Sequence, residues 1–170
     1  MARRFRGEYT FKVDGKGRVS IPALYRRVIE AGDPDFCGSG RPQLVIVYGE
    51  DDQPYLEGYT PNEIEKLEAK IERLPSSRLK RRLNRRVTAL SLHTEIDPDG
   101  RLVLPIKLRE KIGLQGEAIF VGTSGTFQIW NPEAYEAYLD QDDDSLGDDI
   151  PEGMDPLDAL DMVLARMDRE

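Results

Sequence analysis

With 170 residues, 39% of them hydrophobic and 33% charged, the chain has material for one modest core: a compact unit with a tail, or two small intertwined halves. The single cysteine, Cys37, excludes an intramolecular disulfide, no apolar run approaches the length of a membrane helix, and the basic start MARRFRGEY leads into polar sequence, so neither a membrane span nor a signal peptide is expected. The net charge of −8 does not exclude a polyanionic partner, because residues 140–170 hold 2 basic and 12 acidic side chains (−10), leaving 22 basic and 20 acidic in residues 1–139 (+2).

The first twelve residues are basic and aromatic, with Arg3, Arg4, Arg6 and Lys12 interleaved with Phe5, Tyr9 and Phe11, and the alternation Tyr9, Phe11, Val13 predicts a short strand. Asp14-Gly15-Lys16-Gly17 reads as a turn, and Arg18 to Ile21 as a second strand with Val19 and Ile21 on one face. Pro22 opens a helix, ALYRRVIEA, that stops at Gly32. After a loop, residues 44–49 and 55–59 form a hairpin around DDQP. Thr60-Pro61-Asn62-Glu63 caps a helix whose Ile64, Leu67, Ile71 and Leu74 share one face. Pro75-Ser76 breaks it, and a basic helix follows, fading into a strand near Ser91.

The plan then repeats. Residues 13–27, VDGKGRVSIPALYRR, align at an offset of 83 with 96–110, IDPDGRLVLPIKLRE. Asp14 falls on Asp97, Gly17 on Gly100, Arg18 on Arg101, Pro22 on Pro105 and Arg26 on Arg109, while Val19/Leu102 and Ile21/Leu104 stay apolar. A turn at 97–100, a strand at 102–104, a helix from Pro105 to Gly113, a hairpin through Thr123-Ser124-Gly125 and a helix from Asn131-Pro132-Glu133 to about Leu139 replay the first half. Two copies suggest halves related by a pseudo-twofold. Residues 140–156 are dense in like charge and read as disordered, and Pro156 to Met167 as a short helix with Leu157, Leu160, Leu164 and Met167 on one face. The expected division is a first unit at 1–74, a basic helical linker at 75–90, a second unit at 91–139, and an acidic, largely disordered tail at 140–170.

The pattern Asp-x-x-Gly-Arg-φ-x-φ-Pro-x-x-φ-Arg (φ apolar), fitted by 97–109 throughout and by 14–26 with Tyr25 at the last apolar place, resembles the SpoVT–AbrB superfamily of swapped-hairpin β-barrel DNA-binding proteins. Two such units, an RFRGEY start and a helical pair after the first unit are similar to the MraZ family of bacterial transcriptional regulators. The resemblance covers about residues 1–139. It implies an α+β fold, a duplicated swapped-hairpin β-barrel with flanking helices. It also implies a homo-oligomeric ring, double-stranded DNA partners in promoter direct repeats, control (as repressor) of the division and cell-wall gene cluster, and a cytoplasmic, nucleoid-associated location.

The motif's own chemistry fits that expectation. Gly15 and Gly17 let the turn backbone approach a partner closely, while Lys16 and Arg18 point charge outward; Arg suits both phosphate and a guanine edge. Arg3, Arg4, Arg6 and Lys12 would add phosphate contacts. Asp14 and Asp97, with Gly17 and Gly100, read mainly as motif-structural, the Asp residues closing turns by pairing with Arg18 and Arg101. The copies are unequal: Asp99 stands where the first has Lys16, and Pro98 stiffens the second turn, so the first is expected to dominate DNA contact, with Arg101 the lesser contributor. The run Arg78, Lys80, Arg81, Arg82, Arg85, Arg86 reads first as a solvated or acid-binding face against Glu65, Glu68 and Glu72, and second as a phosphate contact.

Enzyme chemistry is not expected. His93 is the only histidine and reads as a partly buried structural residue; Cys37 has no nearby His; Asp14 and Asp97 each sit beside Arg and lack a protease-like Thr/Ser-Gly. Arg101 falls where a calcium loop needs an oxygen, and no phosphate loop or dinucleotide fingerprint occurs, so no metal or cofactor is expected. The alternatives to a regulator are an oligomeric protein-interaction scaffold with a basic face, and an antitoxin-like autoregulator.

Overall fold

A computed structural model describes residues 4–145 and 153–169. They fall into two compact units, one through Pro132 and one from Glu133. The first is mixed α+β, with antiparallel strands throughout. Its elements are β1 (Glu8–Lys12), β2 (Arg18–Ser20), α1 (Ala23–Ala31), β3 (Gln43–Val47), β4 (Leu56–Tyr59), α2 (Pro61–Glu72), α3 (Arg78–Leu83), a π-helical turn (Asn84–Ala89), β5 (Ser91–Glu95), β6 (Arg101–Val103), α4 (Ile106–Lys111), β7 (Glu117–Thr123) and β8 (Thr126–Trp130).

Local chemistry accounts for most boundaries. Pro22 and Pro105 precede α1 and α4, where a missing N–H costs nothing. Thr60 Oγ1 accepts from the Glu63 N–H at 3.2 Å, fixing the start of α2. Ser77 caps α3 in the same way through Lys80 N. The basic segment expected as one helix is instead α3 followed by the π-helical turn, whose Val87 is buried against Val47, Ile64 and Ile71.

Strand pairing crosses between the halves. The large sheet runs β1-β7-β8-β4-β3-β5, and β2 pairs with β6 in a separate two-stranded ribbon. Exchange β1 with β5, β2 with β6, β3 with β7 and β4 with β8, and the pairings β1·β7, β3·β5, β4·β8 and β2·β6 map onto themselves. After the single bridge Val13–Val19, β2 leaves β1 and pairs entirely with the other half. Val19, Leu102 and Leu104 from the ribbon region bury with Tyr25, Ile29, Leu44, Ile46, Ile96, Phe120 and Phe127 in one core. Tyr25 packs edge-on against Phe5 at 5.2 Å and its hydroxyl donates to the Gly7 carbonyl at 2.6 Å, which ties the N-terminal segment down.

The second unit contains most of α5 (Pro132–Ser145), and α6 (Pro156–Met167). α5 runs six residues past the expected end at Leu139, since no Gly or Pro interrupts the sequence before Gly147. Of the stretch read as disordered, residues 146–152 lie outside the described residues. α6 has the predicted span, begins at an Asp155 cap, and exposes Leu157, Leu160, Leu164 and Met167.

Candidate nucleic-acid interface

Each Asp-x-x-Gly-Arg segment folds into a self-contained turn. Asp14 Oδ1 accepts from the N–H groups of Lys16 and Arg18, both at 2.9 Å, and its Oδ2 accepts from Arg18 Nε at 2.6 Å. The Arg18 N–H, then the guanidinium, hold the Asp14 carboxyl at about 2, below its ordinary 3.8. Asp97 Oδ1 likewise accepts from Asp99 N and Arg101 N at 2.9 Å. Gly17 (φ +84°) and Gly100 (φ +76°) occupy the left-handed region each turn requires.

The turns interlock. The Gly17 carbonyl accepts from Leu104 N at 2.8 Å, and the Gly100 carbonyl from Ile21 N at 2.9 Å. The last Arg of each motif reaches across: Arg109 lies beside Gly17 and donates through Nε to the Leu104 carbonyl at 2.8 Å, and Arg26 lies beside Gly100. The motif spacing contained both arginines, but only the cross-half pairing reveals this bracing.

Between the turns lies the β2–β6 ribbon, registered Arg18↔Val103, Val19↔Leu102 and Ser20↔Arg101. Directly opposed residues share a face. Val19 and Leu102 are buried, so Arg18, Ser20, Arg101 and Val103 form the outward face. The period-two alternation of the sequence places Ser20 beside Arg18 on this face; Val103 joins it only through the pairing with the other half. Lys16, at the tip of the first turn, is exposed. Among the described residues Arg18 keeps its terminal Nη groups without a protein partner, whereas Arg101 donates through Nη2 to Asp99 Oδ2 at 2.9 Å.

Lys12 is exposed at the ribbon-proximal end of β1. Arg4 and Arg6 are exposed too, but lie beside the β7–β8 turn, where Phe5 bridges Ser124; six residues of extended chain, about 20 Å, separate Arg6 from Lys12. The structure therefore does not gather them with Lys16 and Arg18. Arg3 lies outside the described residues. In the basic segment, Arg82 pairs with Glu50 (3.7 Å), Arg86 with Asp52 (3.9 Å) and Lys80 with Glu72 (3.7 Å), giving half of its cations acidic partners within the chain.

His93, expected to be partly buried, is exposed on β5 with Nε2 2.8 Å from Gln43 Oε1, because its strand sits at the sheet edge. Cys37 is exposed in the loop after α1. Among the described residues no group of three His, Cys, Asp or Glu could hold a metal, and no helix is long and apolar enough to cross a membrane.

The chain matches, over residues 4–87 and 92–152, the family described as "MraZ protein, putative antitoxin-like". It is 50% identical over 162 residues to the "Transcriptional regulator MraZ" of Ruegeria pomeroyi, covering 95% of this chain and 97% of that protein. A protein of the same name from Cereibacter sphaeroides (strain ATCC 17029) is 51% identical over 168 residues, covering 94% and 97%. The one from Ligilactobacillus salivarius is 34% identical over 151 residues, covering 88% and 96%. On both the family match and these full-length identities, this chain belongs to the MraZ family.

Proposed function

We propose that the chain is a sequence-specific DNA-binding transcriptional regulator, built as an internally duplicated swapped-hairpin barrel with a pseudo-twofold. Its two repeat units, 1–74 and 91–139, are joined by the basic segment 75–90. The exchange symmetry of the strand pairings supports the duplication. The observation that carries the DNA-binding reading is the β2–β6 ribbon, which turns Arg18 and Arg101 outward on one face with Lys16 at its end. A two-stranded ribbon fits the major groove, and arginine reads guanine there or clasps phosphate. Asp14 restrains Arg18 through Nε alone, which preorganises the guanidinium and leaves its outer edge for DNA.

On this reading homo-oligomeric rings occupy direct repeats in the promoter of the division and cell-wall cluster and repress it by occlusion, in the cytoplasm at the nucleoid, and weak contacts multiply through multivalency. The first repeat dominates contact. Lys12 adds a phosphate contact near the ribbon, while Arg4 and Arg6 would reach a separate stretch of backbone; Arg3 is proposed as a phosphate contact from its place in the sequence alone. The exposed Arg78, Arg81 and Arg85, which carry no ion pair among the described residues, favour a second reading, a scaffold that binds acidic protein surfaces; an antitoxin-like autoregulator is the narrower rival.

The test is fluorescence anisotropy with duplex DNA from upstream of the protein's own gene, over a salt series. Wild type should prefer this duplex over a scrambled one with a steep salt slope, and Arg18→Ala should lose about 1–3 kcal/mol per affected site, more than Arg101→Ala. No binding at low salt by an intact oligomer would refute the regulator reading and leave the scaffold.

A further inference from the structure

The two ends of the ribbon are alike in backbone and opposite in charge. At the first, Asp14, Lys16 and Arg18 sum to +1; at the second, Asp97, Asp99 and Arg101 sum to −1. The hydrogen bonds that shape the two turns are the same, so the difference lies in what the tips carry. Lys16 is exposed, and its ammonium has no partner among the described residues. Asp99, 72% exposed, takes the equivalent position and binds Arg101 Nη2 at 2.9 Å, while Arg101 Nε sits 3.8 Å from Asp97 Oδ2 and has no hydrogen-bond partner. Arg101 thus pairs with two carboxylates of its own turn, and feels Asp14 of the first turn as well, where Arg18 pairs with Asp14 alone. Asp99 takes no part in closing its turn through its side chain: the carboxylate that accepts the turn's N–H groups is that of Asp97. Among the described residues its side chain pairs with Arg101 and with no other group.

Resting on the DNA-binding reading above, we propose that Asp99 is a specificity-determining residue that gives the ribbon a direction. By occupying Arg101 and presenting negative charge at the tip, it repels the phosphate backbone from the second turn. The ribbon then docks through its Lys16–Arg18 end, and a molecule with near-twofold pairing reads DNA as a one-way element. Sequence-independent binding, which needs only cations near phosphate, is penalised most, because a correctly seated base contact at the first turn is what offsets the repulsion at the second. The carboxylate can also accept from the amino group of a cytosine where the second turn meets a base edge, which phosphate cannot offer.

The experiment uses the full chain with two probes, a duplex from upstream of the protein's own gene and a scrambled duplex of the same composition, each over a salt series. Asp99→Asn should raise affinity for the scrambled duplex several-fold more than for the upstream duplex. Lys16→Asp should weaken upstream binding about tenfold, and the charge-exchanged double variant Lys16→Asp/Asp99→Lys should recover most of that loss with a restored salt slope, docking through the other end. A purely structural Asp99 would not allow recovery. If the double variant binds no better than Lys16→Asp and Asp99→Asn leaves the ratio of the two affinities unchanged, while Arg18→Ala still weakens binding more than Arg101→Ala, the inference is overturned and the regulator reading stands. If wild type binds neither duplex, both fall together.

Discussion

Replacing Gly17 by alanine is the sharpest probe of the interlocked turns. A Cβ there would lie 2.2 Å from the Leu104 carbonyl oxygen and 2.9 Å from Arg109 Nε, with φ at +84°. The left-handed backbone costs about 1–2 kcal/mol for a residue with a Cβ. The clash adds about 1–3 kcal/mol, because its partner is backbone and no rotamer change relieves it. Gly100 has the same handedness, but its Cβ would meet only Arg26 Nη1, at 3.0 Å, the far end of a flexible side chain. Gly100→Ala should therefore cost only the first increment, and Gly15→Ala, in open space, almost nothing. Trp130, the single tryptophan and 1% exposed, reports unfolding of this unit by fluorescence. With a urea slope of about 1–3 kcal/mol/M, the midpoints of Gly17→Ala and Gly100→Ala should differ by about 1 M. Equal midpoints, or a lower one for Gly100→Ala, would refute the idea that the first turn is held against the opposite half's backbone.

Two further predictions concern carboxylates. Asp14 titrates at about 2 in the folded chain, against 3.8, so its stabilisation is complete above pH 3.8 and disappears as pH falls through about 2. Urea midpoints should therefore fall less steeply between those values for Asp14→Asn than for wild type, and parallel curves would contradict the assignment. Asp33, 5% exposed, accepts from Asp35 N at 3.0 Å and Gln43 N at 2.8 Å, tying the loop after α1 to β3. Asp33→Ala should cost about 2–3 kcal/mol, a drop of about 5–10 °C in melting temperature, and a change under about 2 °C would show that water replaces both bonds.

What was legible in the sequence divides along a physical line. Features set by neighbours were readable: the Thr60 cap, the glycine-bearing turns, the prolines that open α1 and α4, and the alternation that buries Val19 and Leu102. Features set by distant partners were not. Nothing local to Arg18-Val19-Ser20 says that it pairs with Arg101-Leu102-Val103, because register between remote strands is decided by the buried face they share. For that reason the composition of the ribbon's outward face, the bracing by Arg26 and Arg109, and the distance of Arg4 and Arg6 from the first turn appear only in three dimensions. The exposure of His93 belongs with them: it sits between Leu92, which packs on the core, and Thr94, and only the edge position of β5 shows that its side chain stays in water. The end of α5 is a different case: dense like charge suggests a stop after Leu139, but no residue there breaks a helix, and α5 continues to Ser145.

The crossed pairing also governs how the protein comes into being. Glu8 finds its partner in Val121, and Gln43 finds its partner in Glu95. At about 5–20 residues per second, the ribosome needs roughly 5–20 s to make the chain between β1 and β7, during which β1 has no strand to join. Closing so long a loop adds little to the free-energy cost, since that cost grows only with the logarithm of length, but it does impose an order of events. Neither half can complete its sheet early, and a chain released before β6 has no ribbon. Production of a working protein is therefore all-or-none at the level of the single polypeptide, and fragments left by interrupted synthesis carry unpaired strand edges that mark them for removal.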